Sequence, residues 1–121
     1  MANVLIIDDD SALRGTMKKI LERAGHEVAE AEDGARGLEL FRCGAFDLVI
    51  TDLIMPEKEG IETILELRAD HPEVRILAVS GGLSVDEDGG VLQDAEALGA
   101  DDSLAKPFSV EELMEKVEPL L

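Results

Sequence analysis

Apolar residues gather in three short unbroken runs, Val4-Leu5-Ile6-Ile7, Leu48-Val49-Ile50 and Ile76-Leu77-Ala78-Val79. The runs are mostly branched and lack the alternation of a half-exposed strand. Such a pattern suits strands covered on both faces, as in a parallel sheet between layers of helices. Two weaker stretches, Glu27 to Ala31 and Ser103 to Ala105, either alternate in polarity or are very short. Weak strands belong at sheet edges, where one side meets water. The three strong runs are therefore central and the two weak ones flank them.

Between these runs the spacing changes to the helical period. Leu13, Met17, Ile20, Leu21 and Ala24 make an apolar stripe that starts at Asp10 or Ser11 and stops at Gly25. A second helix follows Asp33, with Ala35, Leu38 and Phe41 inward and Gly44 as its C-terminal stop. Ile61, Ile64 and Leu65 mark a third, which ends before Pro72. Val91 to Leu98 gives a shorter helix. In the last one, Ser109-Val110-Glu111-Glu112 reads as a capping box and Phe108 can staple onto Leu113. Its buried face is then Val110, Leu113, Met114 and Val117. Strands and helices alternate strictly, with short connections. This predicts a doubly wound α/β fold, a five-stranded parallel sheet with helices on both faces. One stretch is irregular: Gly81-Gly82 and Gly89-Gly90 bracket a segment expected to be a mobile loop.

Composition narrows the function. A chain of 121 residues, 45% apolar, is expected to form one domain over 1–121 with one core. No apolar stretch reaches the roughly 18 residues that a membrane span needs. The run at Val4 is too short for a signal peptide and leads straight into aspartates. Cys43, the single cysteine, cannot form an internal disulfide and is expected to pack. A reducing, cytoplasmic home follows as the expectation. The net charge of −17 comes from 28 acidic against 11 basic residues, and aromatics are limited to three Phe. Anionic lipid and nucleic-acid backbones repel such a surface, and it offers no stacking platform. Cations and basic protein surfaces are the natural partners.

In an open parallel sheet, every strand delivers its C-terminal end to one edge, where ligands bind. The first strand is followed by Asp8-Asp9-Asp10, the third ends Ile50-Thr51-Asp52, the fourth ends Val79-Ser80, and the fifth runs into Lys106-Pro107. Taken singly, each has a plain reading. Asp10 and Ser11 can cap a helix, Asp52 or Ser80 can shape a turn, and Lys106 can be a solvated charge. His26 and His71 read as surface residues rather than ligands. Taken together, the strand ends describe a site. Carboxylates held together repel by roughly 4 kcal/mol per pair at about 4 Å and an effective dielectric near 20. A hard divalent cation, Mg²⁺ or Mn²⁺, offsets this through oxygen ligands. With a lysine and a hydroxyl added, the pocket suits a phosphoryl group in transfer, with Asp52 as the nucleophile.

These residues and their order resemble the receiver domain of two-component response regulators, over essentially the whole chain. The likeness rests on Val4 to Asp10, on Asp47-Leu48-Val49-Ile50-Thr51-Asp52-Leu53-Ile54-Met55-Pro56, on Ser80, and on Gly99-Ala100-Asp101-Asp102 leading to Lys106-Pro107-Phe108. The resemblance implies a flavodoxin-like sheet of strand order 2-1-3-4-5, in keeping with the edges and centre read above. It also implies that Asp52 accepts a phosphoryl group from a phosphohistidine on a sensor kinase or phosphotransfer protein. Asp9, Asp52 and the backbone carbonyl of Ile54 would ligate the metal, with Asp8 assisting. Lys106 would pair with a phosphoryl oxygen, Ser80 would move inward to bond it, and the Lys106–Pro107 bond would be cis. Such a domain catalyses only its own phosphorylation and dephosphorylation, and signals by altering how the face formed by residues 80–105 binds a downstream protein.

Two features depart from the family pattern. Receivers usually carry an aromatic residue or His three positions before the lysine, where this chain has Ser103, and the segment from Ser80 to Ser103 looks a few residues long. The Gly81–Gly90 loop is therefore expected to carry the conformational signal. Two rivals compete. A haloacid-dehalogenase-type phosphatase would share the Asp8-Asp9-Asp10 motif, but its lysine precedes its later acidic pair, whereas Asp101-Asp102 precede Lys106. A pseudo-receiver that only binds proteins would not need Asp8, Asp9, Asp52, Ser80 and Lys106 all intact. The last helix is expected to end near Pro119 with no effector domain after it in this sequence. A complete chain would signal by docking, and an excised fragment would lack a DNA-binding or catalytic domain.

Overall fold

The three apolar runs form the centre of a five-stranded parallel sheet, in the order β2-β1-β3-β4-β5. The computed structural model describes residues 2–52, 60–80, 100–105 and 108–121, excepting the side chains of residues 61, 80 and 105. Its elements are β1 (Asn3–Ile7), α1 (Ser11–Arg23), β2 (Glu27–Ala31), α2 (Gly34–Cys43), β3 (Leu48–Asp52), α3 (Gly60–Asp70), β4 (Arg75–Ser80), β5 (Asp102–Ala105) and α4 (Val110–Val117), with a 3₁₀ turn at Glu118–Leu120. The helix expected at Val91 to Leu98 and the Gly81–Gly90 loop lie outside the described residues.

The double-sided burial expected of continuous runs is observed. Alternate residues along each strand feed two cores. Leu5, Ile7, Val49, Ile76 and Ala78 meet Leu38 and Phe41 of α2 and Ile64 and Leu67 of α3. On the other face, Val4, Ile6, Leu48, Ile50, Leu77, Val79 and Leu104 meet Met17 and Leu21 of α1 and Leu113 and Val117 of α4. Each such Val, Leu, Ile, Phe or Met side chain contributes about 1.5–3 kcal/mol through burial, which is why the sheet forms at the middle of the chain's apolar pattern.

Local signals set the helix ends. Asp10 caps α1, its Oδ1 accepting from the amides of Ala12 and Leu13 at 3.1 Å each. Gly25, at φ +97°, ends the helix in the left-handed region. There the His26 amide donates to the Leu21 carbonyl and the Gly25 amide to that of Glu22, the paired bonds of a Schellman stop. Ser109 and Glu112 complete the expected capping box on α4. Ser109→Ala is expected to cost about 1 kcal/mol in urea unfolding. A loss below a few tenths would show that the Phe108 staple alone holds this end.

Several inward assignments shift. On α2 it is Gly34 and Gly37, with Leu38 and Phe41, that are buried, while Ala35 faces solvent. Counting only apolar side chains overlooked that the helix's contact face is opened by glycines. A Cβ on Gly37 would lie 2.4 Å from Ile7 Cδ1 and 2.7 Å from its Cγ1, so α2 sits almost against β1. Gly37→Ala is therefore expected to destabilise by about 1 kcal/mol, overpacking outweighing the gain in helix propensity. Adding Ile7→Val should recover part of the loss, and a stabilised Ala variant would refute the close approach. On α3, Leu65 is 44% exposed and the inward residues are Ile64, Leu67 and Thr63. On α4, Val110 is 54% exposed because Phe108 takes its place in the cluster. Ala24, at the C-cap of α1, is exposed, as is Cys43, which was expected to pack.

Candidate functional site

Strand register brings the chemistry to one edge. Ile7 pairs with Thr51, Asp52 with Val79, and Ser80 with Ala105. Asp8, the residue after β1, thus lies level with Asp52, while the backbone of Ser80 ends β4 one residue further along the same edge. By alternation, Asp8 continues the row of Val4 and Ile6, and Asp52 that of Leu48 and Ile50, so both lie on the α1 side of the sheet. Carboxylate oxygens of Asp8, Asp9 and Asp52 lie within 4.8 Å of one another. Asp8 is 1% and Asp52 6% exposed, whereas Asp9 is open to solvent.

The turn that carries two of these acids is tightly held. Asp8 Oδ1 accepts the Asp10 amide at 2.9 Å, and the Asp8 amide donates to the Ala31 carbonyl at 3.1 Å. The Asp8 carbonyl accepts Arg14 Nη1 at 2.7 Å. Arg14 is in turn oriented by Glu30 of β2, its Nε donating to Oε1 at 3.1 Å, with Lys18 Nζ 3.5 Å from the other Glu30 oxygen. Sequence reasoning missed this second ring. Its signal was a glutamate on the same side of β2 as Val28, facing two cations one helical turn apart on α1.

An all-oxygen donor set, with two carboxylates shielded and one open to solvent, fits a hard divalent cation. The acidic cluster is thus able to hold a metal, as the sequence led us to expect for Asp8, Asp9 and Asp52. Ile54, Lys106, the Lys106–Pro107 bond and the Ser80 side chain lie outside the described residues. Ser103 is half-buried on β5, paired with Ala78.

Asp101, Asp102 and the two histidines are engaged elsewhere. Asp101 Oδ2 accepts Arg68 Nη2 at 2.9 Å and the Ile76 amide at 2.7 Å, near the N-terminal ends of β4 and β5. Asp102 Oδ1 accepts Lys116 Nζ at 3.1 Å. This pair serves the fold rather than the carboxylate cluster, which removes the acidic motif that the phosphatase reading required. His26 Nδ1 accepts the Ala2 amide, and His71 packs against Phe41 with ring centroids 4.6 Å apart. An open groove of about 550 Å³ beside His26, Phe46 and Arg75 lies at the opposite, N-terminal edge of the sheet.

Comparison with known proteins bears on the same edge. Over its full length the chain is 36% identical to the transcriptional regulatory protein CpxR of Escherichia coli K12, matching 50% of that protein. It is 37% identical over 118 residues to the response regulator MprA of Mycobacterium sp. strain KMS, covering 98% of this chain and 50% of the relative. The chain thus spans about half the length of these curated relatives. Among solved structures it superposes on the response regulator TrrA of Thermotoga maritima, in complex with Mg²⁺ and BeF, with a TM-score of 0.88, 33% identity and full coverage of both chains. A family model described as the response regulator receiver domain matches residues 4–118. With a 2-1-3-4-5 parallel sheet and three aspartates converging at the C-terminal ends of β1 and β3, the chain belongs to the response regulator receiver domain family.

Proposed function

We propose that residues 1–121 act as one phosphoacceptor unit in which Asp52 takes a phosphoryl group from a phosphohistidine of a sensor histidine kinase or phosphotransfer protein. The observation that carries this reading is the convergence of Asp8, Asp9 and Asp52 within 4.8 Å at the C-terminal edge of the sheet. A carboxylate oxygen of Asp52 attacks phosphorus as the N–P bond breaks, and the bonding pair stays on the imidazole nitrogen, which is then protonated from solvent. Hydrolysis of the acyl phosphate by water returns the carboxylate and releases inorganic phosphate. Beyond these two self-directed steps the domain is not an enzyme.

Asp8, Asp9, Asp52 and the Ile54 carbonyl are the proposed metal ligands, and Mg²⁺ or Mn²⁺ would supply charge neutralisation for the phosphoryl oxygens. The complex of TrrA with Mg²⁺ and BeF supports this assignment by likeness. Lys106 follows β5 directly, and Ser80 ends β4 at the same edge. We assign Lys106 to a phosphoryl oxygen and Ser80 to the hydrogen bond that draws the face of residues 80–105 into its signalling form. With Ser103 where receivers usually carry an aromatic, the segment 81–90 takes over as carrier of the change, which a downstream protein partner reads in the cytoplasm. Among the described residues no helix is long and apolar enough to cross a membrane. The charge of −17 favours a basic protein surface over nucleic acid as the direct partner.

Incubation with a small acyl phosphate and Mg²⁺, followed by intact mass, tests the assignment. Wild type should gain the mass of one phosphoryl group and Asp52→Asn none. Label retained by the Asn variant would move the acceptor elsewhere. A wild type that never takes label would favour a binding module instead.

A further inference from the structure

We propose that Arg14, held in place by Glu30, is a positioning residue that sets the direction of Asp9 in the carboxylate cluster. The inference rests on the reading that this cluster holds a divalent cation. Asp9 is the exposed member of the three, so packing does little to fix its side chain. Its direction depends instead on the two planar peptide groups that flank it. The plane between Asp8 and Asp9 is held through its carbonyl oxygen, which accepts Arg14 Nη1 at 2.7 Å. The plane between Asp9 and Asp10 is held through its amide, which donates to Asp8 Oδ1 at 2.9 Å. With both planes fixed, the backbone angles at Asp9 are fixed too. A ligand ordered in advance loses less freedom on binding.

Arg14 suits this task because one guanidinium reaches two differently placed acceptors. Its Nε is bound to Glu30 Oε1 at 3.1 Å while Nη1 reaches across to the turn. The bond to Glu30 ties the fork to the neighbouring strand, whose Ala31 carbonyl also accepts the Asp8 amide. A lysine has a single ammonium and cannot hold both acceptors in this geometry. Lys18, 3.5 Å from Glu30, shares the glutamate's charge and leaves the trio of Arg14, Lys18 and Glu30 with one net positive charge beside three carboxylates. That charge offsets part of the carboxylates' mutual repulsion but opposes a bound cation, so the gain in Mg²⁺ affinity that Arg14 gives comes from position and must outweigh its charge.

The test is a titration with MgCl₂ followed through the amide resonances of residues 8–10. Arg14→Met keeps the apolar stem and removes the fork. It is expected to raise the Mg²⁺ dissociation constant about tenfold, as loss of a partner that orients a ligand does. Arg14→Lys should fall between it and wild type. Glu30→Gln, which keeps an acceptor for Nε, should stay within about twofold of wild type. Without metal, the Asp10 amide of Arg14→Met should exchange faster, while the Asp101 amide, bonded to Ile76 across the sheet, should be unchanged. A uniform rise in exchange would mark a merely structural role and overturn the proposal. Mg²⁺ affinity in Arg14→Met equal to wild type would do the same. If wild type shows no Mg²⁺-dependent shifts, the metal reading itself falls, a result distinct from equal binding by both proteins.

Discussion

In metal-free buffer, Asp9→Asn is expected to be more stable than wild type by about 1–2 kcal/mol, and to become the less stable of the two once Mg²⁺ is added. The first half follows from charge. Three carboxylates whose oxygens lie within 4.8 Å repel one another, and Asp52 and Asp8 are buried where solvent screens them poorly. Asp9 is exposed, so neutralising it relieves repulsion without opening a cavity or stranding a buried polar group. Its exposure also scales the gain down from the roughly 4 kcal/mol per pair of a less solvated site. The second half follows from linkage. A cation at a hundredfold excess over its dissociation constant stabilises the folded state by about 2.7 kcal/mol, and the Asn variant forgoes most of that. Urea unfolding with and without MgCl₂ should therefore give curves that change order. Added NaCl should narrow the metal-free gap, since it screens the repulsion at the exposed residue. A metal-free Asn variant less stable than wild type would mean that Asp9 is held by attraction, and the cluster would need another explanation.

The sheet was legible because its strands are covered on both sides, and continuous branched runs have few other ways to be buried. Their ends were less so. Asn3, Arg75 and Asp102 each begin a strand one residue before the expected stretch, because pairing with a neighbouring strand starts before the apolar pattern does. The carboxylate cluster was legible for a topological reason. Once the strands are parallel, the residues after Ile7 and Ile50 must share an edge, whatever their chemistry. Helix faces were harder. Ala35, Leu65 and Val110 are apolar yet exposed, and Gly34 and Gly37 have no side chain yet sit in the contact face, so a hydrophobic stripe locates the inward side only to within about one residue. The long-range ion pairs were invisible. Nothing local at Arg14 says that Glu30 will lie beside it, and nothing at Arg68 indicates Asp101, since each pairing exists only after the sheet has assembled.

That second pairing predicts the largest loss of stability by a substitution outside both cores. Asp101→Ala is expected to cost about 2–4 kcal/mol, and Asp101→Asn about 1 kcal/mol. Asp101 and Ile76 are bonded reciprocally: the Asp101 amide donates to the Ile76 carbonyl at 2.8 Å, and the Ile76 amide donates to Asp101 Oδ2 at 2.7 Å. The same oxygen accepts Arg68 Nη2, while Arg68 Nη1 donates to the carbonyls of Pro72 and Val74 at 2.7 Å each. One carboxylate thus ties the end of α3, the start of β4 and the approach to β5 into a single node. Alanine removes the acceptor from both a backbone amide and a guanidinium, whereas asparagine still offers an oxygen to one of them. Arg68→Met combined with Asp101→Ala should cost less than the sum of the two, because the groups act through each other. With no Trp or Tyr in the chain, the measurement is urea unfolding by far-ultraviolet circular dichroism. An Ala variant within about 0.5 kcal/mol of wild type would show that β5 holds its register without Asp101. The consequence reaches the opposite edge of the sheet. β5 is only four residues long, and the pairing of Ala105 with Ser80 sets where residue 106 leaves the strand. A variant that loosens this node while leaving Asp52 intact should therefore still take up the phosphoryl label, but more slowly.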